Sequence, residues 1–189
     1  MKRISSTLLL CIILSFSSYA QEEMKLNLKK SAVHWLGSKM FGFYNHYGIV
    51  LFSEGKLHIT DKKISGGEFI VDMNTITNTD GEYSESLIDH LKNEDFFDVP
   101  NYPTARLFIT KVDYEDGENA NMTADLTIKG ITLPVEFTAQ LDYDLQQMVA
   151  NFSIDRTRWN IVFESQSVTN IKDHIISDEI EFKVQLSFQ

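Results

Sequence analysis

The sequence predicts an all-β chain, an eight-stranded antiparallel barrel with one short helix in the middle. Three observations carry this. Apolar and polar residues alternate with period two through most of the second half, the pattern of a sheet with one dry face and one wet face. Turn signals recur at short spacing, as in Asp61-Lys62-Lys63 and Asp116-Gly117. Only one stretch, Leu87 to Pro103, reads as neither strand nor turn. Sequential strands with short turns and a single dry face suit an up-and-down barrel better than a two-sheet sandwich.

Residues 1–20 read as a cleaved signal peptide. Lys2 and Arg3 give a positive start, Ile4 to Phe16 is apolar, and Ser18-Tyr19-Ala20 makes a small-residue cleavage site. The apolar run is shorter than the roughly 20 residues needed to span a bilayer, so stable membrane insertion is not expected. Residues 21–189 then form one domain, periplasmic or secreted. Cys11 is the only cysteine and leaves with the leader, so disulfide and thiol chemistry leave with it.

In the first half, Ala32 to Leu36, Ile49 to Thr60 and Gly67 to Ile76 read as strands, with a bulge or bend at Gly66-Gly67. Ser84 to Glu94 has good helix formers, and Leu87, Ile88 and Leu91 form a narrow apolar face. Pro100 and Pro103 forbid further helix after the pair Phe96-Phe97. A short amphipathic helix followed by an aromatic plug is expected to lie over one barrel opening. Thr104 to Tyr114 is the next strand. Met122, Ala124, Leu126 and Ile128 alternate with polar residues, as do Val135, Phe137, Ala139 and Leu141. Lys129 to Pro134 joins these two strands as a hairpin with a longer loop. Met148 to Ile154 and Ile180 to Phe188 complete the set of eight.

The formal charge of −10 becomes −12 once Lys2 and Arg3 are removed. Such acidity excludes a nucleic-acid partner and electrostatic docking on an anionic membrane. His34, His46, His58, His90 and His174 show no metal-ligand spacing, so no metal and no cofactor are expected. Asp89-His90 and Asp173-His174 are neighbours whose side chains diverge. No nucleophile elbow, phosphate-binding glycine loop or dinucleotide fingerprint is present, and no catalytic residue is assigned. The chain is therefore not read as an enzyme. The most distinctive feature is its thirteen phenylalanines, seven tyrosines and two tryptophans, many at inward-facing positions. An eight-stranded barrel either fills its interior with such side chains or encloses one apolar ligand, and composition leaves both open.

Several blocks, in order, resemble the YceI-like proteins, a polyisoprenoid-binding family with a lipocalin-like fold. They are Ser31-Ala-Val-His-Trp35, His46-Tyr-Gly48, Gly66-Gly-Glu-Phe-Ile-Val-Asp-Met73, His90-Leu-Lys92 with Asp95-Phe-Phe-Asp-Val99, and Tyr102-Pro-Thr-Ala105. Asp125-Leu-Thr-Ile-Lys-Gly-Ile-Thr132, Asp155-Arg156 with Trp159, and Asp178-Glu-Ile180 follow. The helix block and the block around Lys129-Gly130 are the specific ones. The resemblance implies a barrel around an apolar tunnel, an isoprenoid lipid such as a quinone or polyprenyl phosphate as bound partner, and often a homodimer. With strand parity it points to Phe52, Phe69, Val71, Leu107, Phe137, Phe152 and Trp159 as tunnel lining. Leu87, Leu91, Phe96 and Phe97 would cover it, with His46 and Arg156 at the mouth as headgroup residues. A structural salt bridge is the rival role for Arg156. The rival functions are an enzyme acting on a lipid-like substrate in the same cavity, and a filled barrel that serves as a structural or partner-binding protein.

Overall fold

The computed structural model describes residues 22–39, 45–81, 84–166, 168 and 175–189. The leader at 1–20 and His174 lie outside the described residues. Nine strand segments make one antiparallel sheet: β1 (Glu22–Lys25), β2 (Ala32–Lys39), β3 (Asn45–Thr60), β4 (Lys63–Asn78), β5 (Thr104–Tyr114), β6 (Asn119–Ile128), β7 (Ile131–Asp142), β8 (Gln147–Asp155) and β9 (Ile176–Ser187). β1 pairs with residues 56–59 of β3 and β2 with residues 45–50, so the two are one wall strand broken at 26–31. β2 also pairs with β9, Val33 opposite Val184 and Trp35 opposite Phe182. That pairing closes the sheet, so the eight-stranded antiparallel barrel expected from the alternation is what forms. The sequence reading missed β1 because Glu-Glu-Met-Lys carries no alternation.

The wall bends at bulges. Ser53, Ser65 and Thr110 are each an extra residue against the partner strand. Each flips the parity of its strand: Val50 and Phe52 point inward before Ser53, Leu57 and Ile59 after it. A larger excursion lies between Asp72 and Thr77, where four residues of β4 oppose Val50 alone. The Thr75 hydroxyl bridges it, accepting from Leu51 N–H at 2.8 Å and donating to the Asp72 carbonyl at 2.6 Å. The expected long loop between β6 and β7 is instead a two-residue turn. Lys129 and Gly130 both have positive φ, 48° and 73°, so Ile128 pairs directly with Ile131.

All strand ends near residues 39–45, 78–104, 128–131 and 155–176 lie at one end of the barrel. There the helix α1 (Ser84–Lys92) packs on β4. It stops two residues before the expected Glu94, because Asn93 turns the chain: its Oδ1 accepts from Asp95 N–H, while Phe97 N–H and Val99 N–H cap the carbonyls of Leu91 and Lys92. A short 3-10 helix (Arg156–Trp159) follows β8, capped by Asp155 and ended by Asn160 at φ 59°, a left-handed conformation that asparagine tolerates. Arg156 is fully buried, 0% exposed, and gathers this end of the chain. It donates to the carbonyls of Ser177, Ile161 and Ile176 at 3.0, 2.8 and 3.1 Å, and Nη2 lies 3.3 Å from Asp178. Burial pulls its pKa down from the usual arginine value, with Asp178 opposing.

At the other end Tyr114 ties hairpins together. Its hydroxyl accepts from Ile64 N–H at 2.7 Å and donates to Ile64 O at 3.3 Å, and the Tyr143 hydroxyl donates to it at 3.2 Å. Burial, helped by the bond to Tyr143, pushes the Tyr114 phenol above its ordinary value of 10.0. The folded chain therefore holds this proton more tightly than the unfolded chain. Stability should be undiminished below about pH 10 and fall as pH climbs past it. Chemical denaturation across that range should show the fall, and Tyr114→Phe should flatten it; an equally steep fall in the variant would refute the assignment. Arg156→Leu should cost about 3 kcal/mol or more, since it removes the donor to one buried and two part-buried carbonyls and leaves Asp178 without its cation. An unchanged denaturation midpoint would show that the arginine does not anchor this end.

Candidate functional site

The inward side chains do not fill the barrel. They leave an apolar cavity of about 270 Å³ that reaches from Lys39 and His46 at the helix-covered end toward Leu186 and Ile109. Along β9 the lining runs from Ile176 to Leu186, roughly 33 Å at about 3.3 Å per residue. With a tilt of about 40°, that is roughly 25 Å along the axis. That volume spread over that length describes a narrow tunnel. Toward the far end of the barrel small side chains are fully buried: Ala120, Ala124 and Ala139.

Phe52, Phe69, Val71, Leu107, Phe137 and Phe152 all border the cavity, on β3, β4, β5, β7 and β8. Phe137 stacks on Phe152 at 5.1 Å, and Phe152 meets Phe182 at 5.4 Å, making an aromatic row across β7, β8 and β9. Phe52 and Phe69 meet edge to face at 6.1 Å on the opposite wall. Leu87 and Leu91 of α1 and the pair Phe96-Phe97 close over the same space. Trp159 does not border it, which corrects the expectation. The 3-10 helix turns its ring into the wall, where it is 0% exposed and its Nε1–H donates to the Leu126 carbonyl at 3.2 Å. Parity could not foresee this, because residue 159 lies beyond the strand on which parity was counted.

Several lining residues escaped the sequence reading. Phe182 and Val184 stand on the alternating face of β9 and were visible by the same parity. Trp35 sits opposite Phe182 in β2. Met73 and Ile76 line the cavity from inside the β4 excursion, which breaks period two and hides them from any alternation count.

The covered end brings the polar groups together. Ser38, Lys39, His46, Arg156 and Ser177 all border the cavity there. His46 and Arg156, expected together at the mouth, differ in what they offer. His46 is partly exposed, 29%, and its one hydrogen bond among the described residues runs from Nδ1 to Asp80 Oδ2 at 2.7 Å. Arg156 has committed donors to three carbonyls and lies beside Asp178, so the structural role foreseen for it is present. Phe96 sits 5.6 Å above its guanidinium, and His90 meets Phe96 at 5.1 Å and Phe163 at 4.5 Å. This stack joins α1 to the segment after β8. His90 Nδ1 bonds the Asn93 side-chain amide, and His34 bonds Gln185 on the outer wall. Among the described residues no three His, Cys, Asp or Glu side chains gather as a metal site. No helix among them is long and apolar enough to cross a membrane.

Comparison with known proteins agrees with this geometry. The chain is 33% identical to Protein YceI of an Escherichia coli strain over 95 residues, 50% of this chain and 48% of that protein. It therefore spans about half the length of the curated relatives it matches. The crystal structure of Burkholderia cenocepacia BcnA superposes with a TM-score of 0.67 at 20% identity, covering 85% of this chain and 98% of that one. A Campylobacter jejuni YceI protein superposes at 0.55 and 14% identity, covering 100% and 91%. Both likenesses concern the fold. The model of the YceI-like domain matches residues 24–188, and with the closed barrel and its covered apolar tunnel, this chain belongs to the YceI-like family.

Proposed function

We propose that this protein binds a long-chain isoprenoid lipid, such as a quinone or a polyprenyl phosphate, in the barrel tunnel and sequesters or carries it without chemistry. The observation that carries the reading is the tunnel itself, about 270 Å³ of narrow space walled by aliphatic and aromatic side chains, with polar groups at one end. That volume is at the lower edge of small-molecule sites, roughly 300–1,000 Å³, and its shape suits a single extended chain. Each Å² of apolar surface taken from water favours binding by about 25 cal/mol, so a chain threaded past these walls gains affinity along its length. Phe52, Phe69, Val71, Leu107, Phe137 and Phe152 would contact the tail, and Leu87, Leu91, Phe96 and Phe97 would shut it from solvent. His46 would face the head, with Arg156 shaping the rim.

Export fits the same reading. A lipid with no aqueous solubility needs a carrier where membranes are separated by water, and residues 1–20 read as the leader that would send the chain to the periplasm or medium. The acidic exterior keeps the carrier off anionic surfaces.

Native mass spectrometry of protein purified from its own compartment, followed by solvent extraction, should release a species that fragments in isoprene-sized steps. An empty protein that takes up neither quinone nor polyprenyl phosphate would overturn the proposal. Phe137→Asp sets a carboxylate into the aromatic row beside Phe152 and should lower lipid affinity at least tenfold, about 1.4 kcal/mol. Full affinity in a folded Phe137→Asp protein would remove the tunnel from consideration.

A further inference from the structure

The His46–Asp80 pair at the tunnel mouth carries information about the ligand's head. The 2.7 Å contact joins Nδ1 to a carboxylate oxygen. An ionised carboxylate only accepts, so the hydrogen of the uncharged ring stands on Nδ1, and Nε2 keeps a lone pair. Asp80 is held in this pose from behind. Asn78 Nδ2 donates to its Oδ1 at 2.8 Å, its own N–H donates to Asn78 Oδ1 at 3.0 Å, and its side chain is only 9% exposed. The strands beneath are locked together as well. Gly48 pairs with Asn78, Thr79 N–H donates to Tyr47 O at 2.9 Å, and a Cβ at Gly48 would collide with the Thr77 carbonyl. The pair is thus a rigid fixture on two ladder-bonded strands, and its histidine borders the tunnel.

Resting on the isoprenoid reading above, we propose that His46 reads a hydroxyl, so that the preferred ligand carries an O–H at its head, as a polyprenyl alcohol or a hydroquinone does. An acceptor with a fixed carboxylate behind it suits a donor. It suits an anionic phosphate poorly, since the phosphate would face Asp80 through an imidazole with no hydrogen to give. Arg156, the buried cation at the same end, has its donors directed to three carbonyls and lies beside Asp178. Lys39 is exposed on the rim and offers charge but no comparable fixed geometry. Asp80 acts through His46, as a positioning residue.

The test uses delipidated full-length mature protein at about pH 8, above the usual histidine range. Three probes share one tail: geranylgeraniol, its methyl ether, and geranylgeranyl phosphate. The alcohol should bind about tenfold more tightly than the ether, the worth of one well-placed hydrogen bond, and more tightly than the phosphate. In His46→Phe the alcohol-to-ether ratio should collapse to about one. Asp80→Asn should collapse it too, with the histidine still in place. There the Asn oxygen stays with Asn78, and its amide donates to Nδ1, which moves the ring hydrogen to Nε2. A purely structural role for Asp80 would weaken all three probes together and leave the ratio alone. Equal binding of alcohol and ether by the native protein, a ratio that survives His46→Phe, or tighter binding of the phosphate would overturn the hydroxyl assignment while leaving the tunnel intact. If none of the three binds, the isoprenoid reading itself fails and this inference falls with it.

Discussion

The covered end of the barrel depends on one buried cation. A barrel wall satisfies its own backbone, but the segments that cross its mouth have no ladder and must find partners elsewhere. Arg156 supplies them. Its planar fork reaches back to Ile161 and across to Ile176 and Ser177, so the 3-10 helix, the segment after it and the start of β9 share one hub. A lysine could not do this, because a point charge lacks the fixed spread of donors. Phe96 then rests on the guanidinium and His90 and Phe163 rest on Phe96, which carries the same constraint into α1. The roof over the tunnel is held by polar bonds at its base and by aromatic edges above.

Below the roof, polarity is sorted along the axis. Fully buried alanines stand at the far end, phenylalanines line the middle, and the charged and hydroxyl groups that border the cavity gather near the rim. His46 and Arg156 find partners in the turns that frame the opening, whereas the Trp35 indole N–H, deeper in the wall opposite Phe182, is buried without a hydrogen-bond partner among the described residues.

How much of this could be read from the sequence varies along the chain. From β6 to β9 the alternation is unbroken, so strands, facing and most lining residues were legible. In β3, β4 and β5 the extra residues at Ser53, Ser65 and Thr110 reverse the parity partway along each strand, which makes the first half look irregular. Phe52 and Phe69 nonetheless border the cavity, Phe52 as the last residue before the Ser53 bulge and Phe69 beyond the one at Ser65. Met73 and Ile76 were not foreseen, since four residues between Asp72 and Thr77 leave the ladder together. Trp159 shows a different limit: a side chain on a non-strand segment takes its direction from tertiary contact, here the Leu126 carbonyl. The His46–Asp80 pair joins residues 34 apart, and nothing local announces it.

The closing pair of strands also sets the order of events during folding. β3 with β4, and β5 through β8, form hairpins with short turns, each of which can assemble from neighbouring sequence. β2 must wait for β9, and the bond between Ser187 N–H and the Ser31 hydroxyl spans 156 positions. Until those last residues are at hand, two strand edges stay open, and loop closure over such a separation is slow. An open-edged sheet recruits other chains. A protein built this way gains from remaining unfolded, or in the keeping of a chaperone, until the whole chain is available.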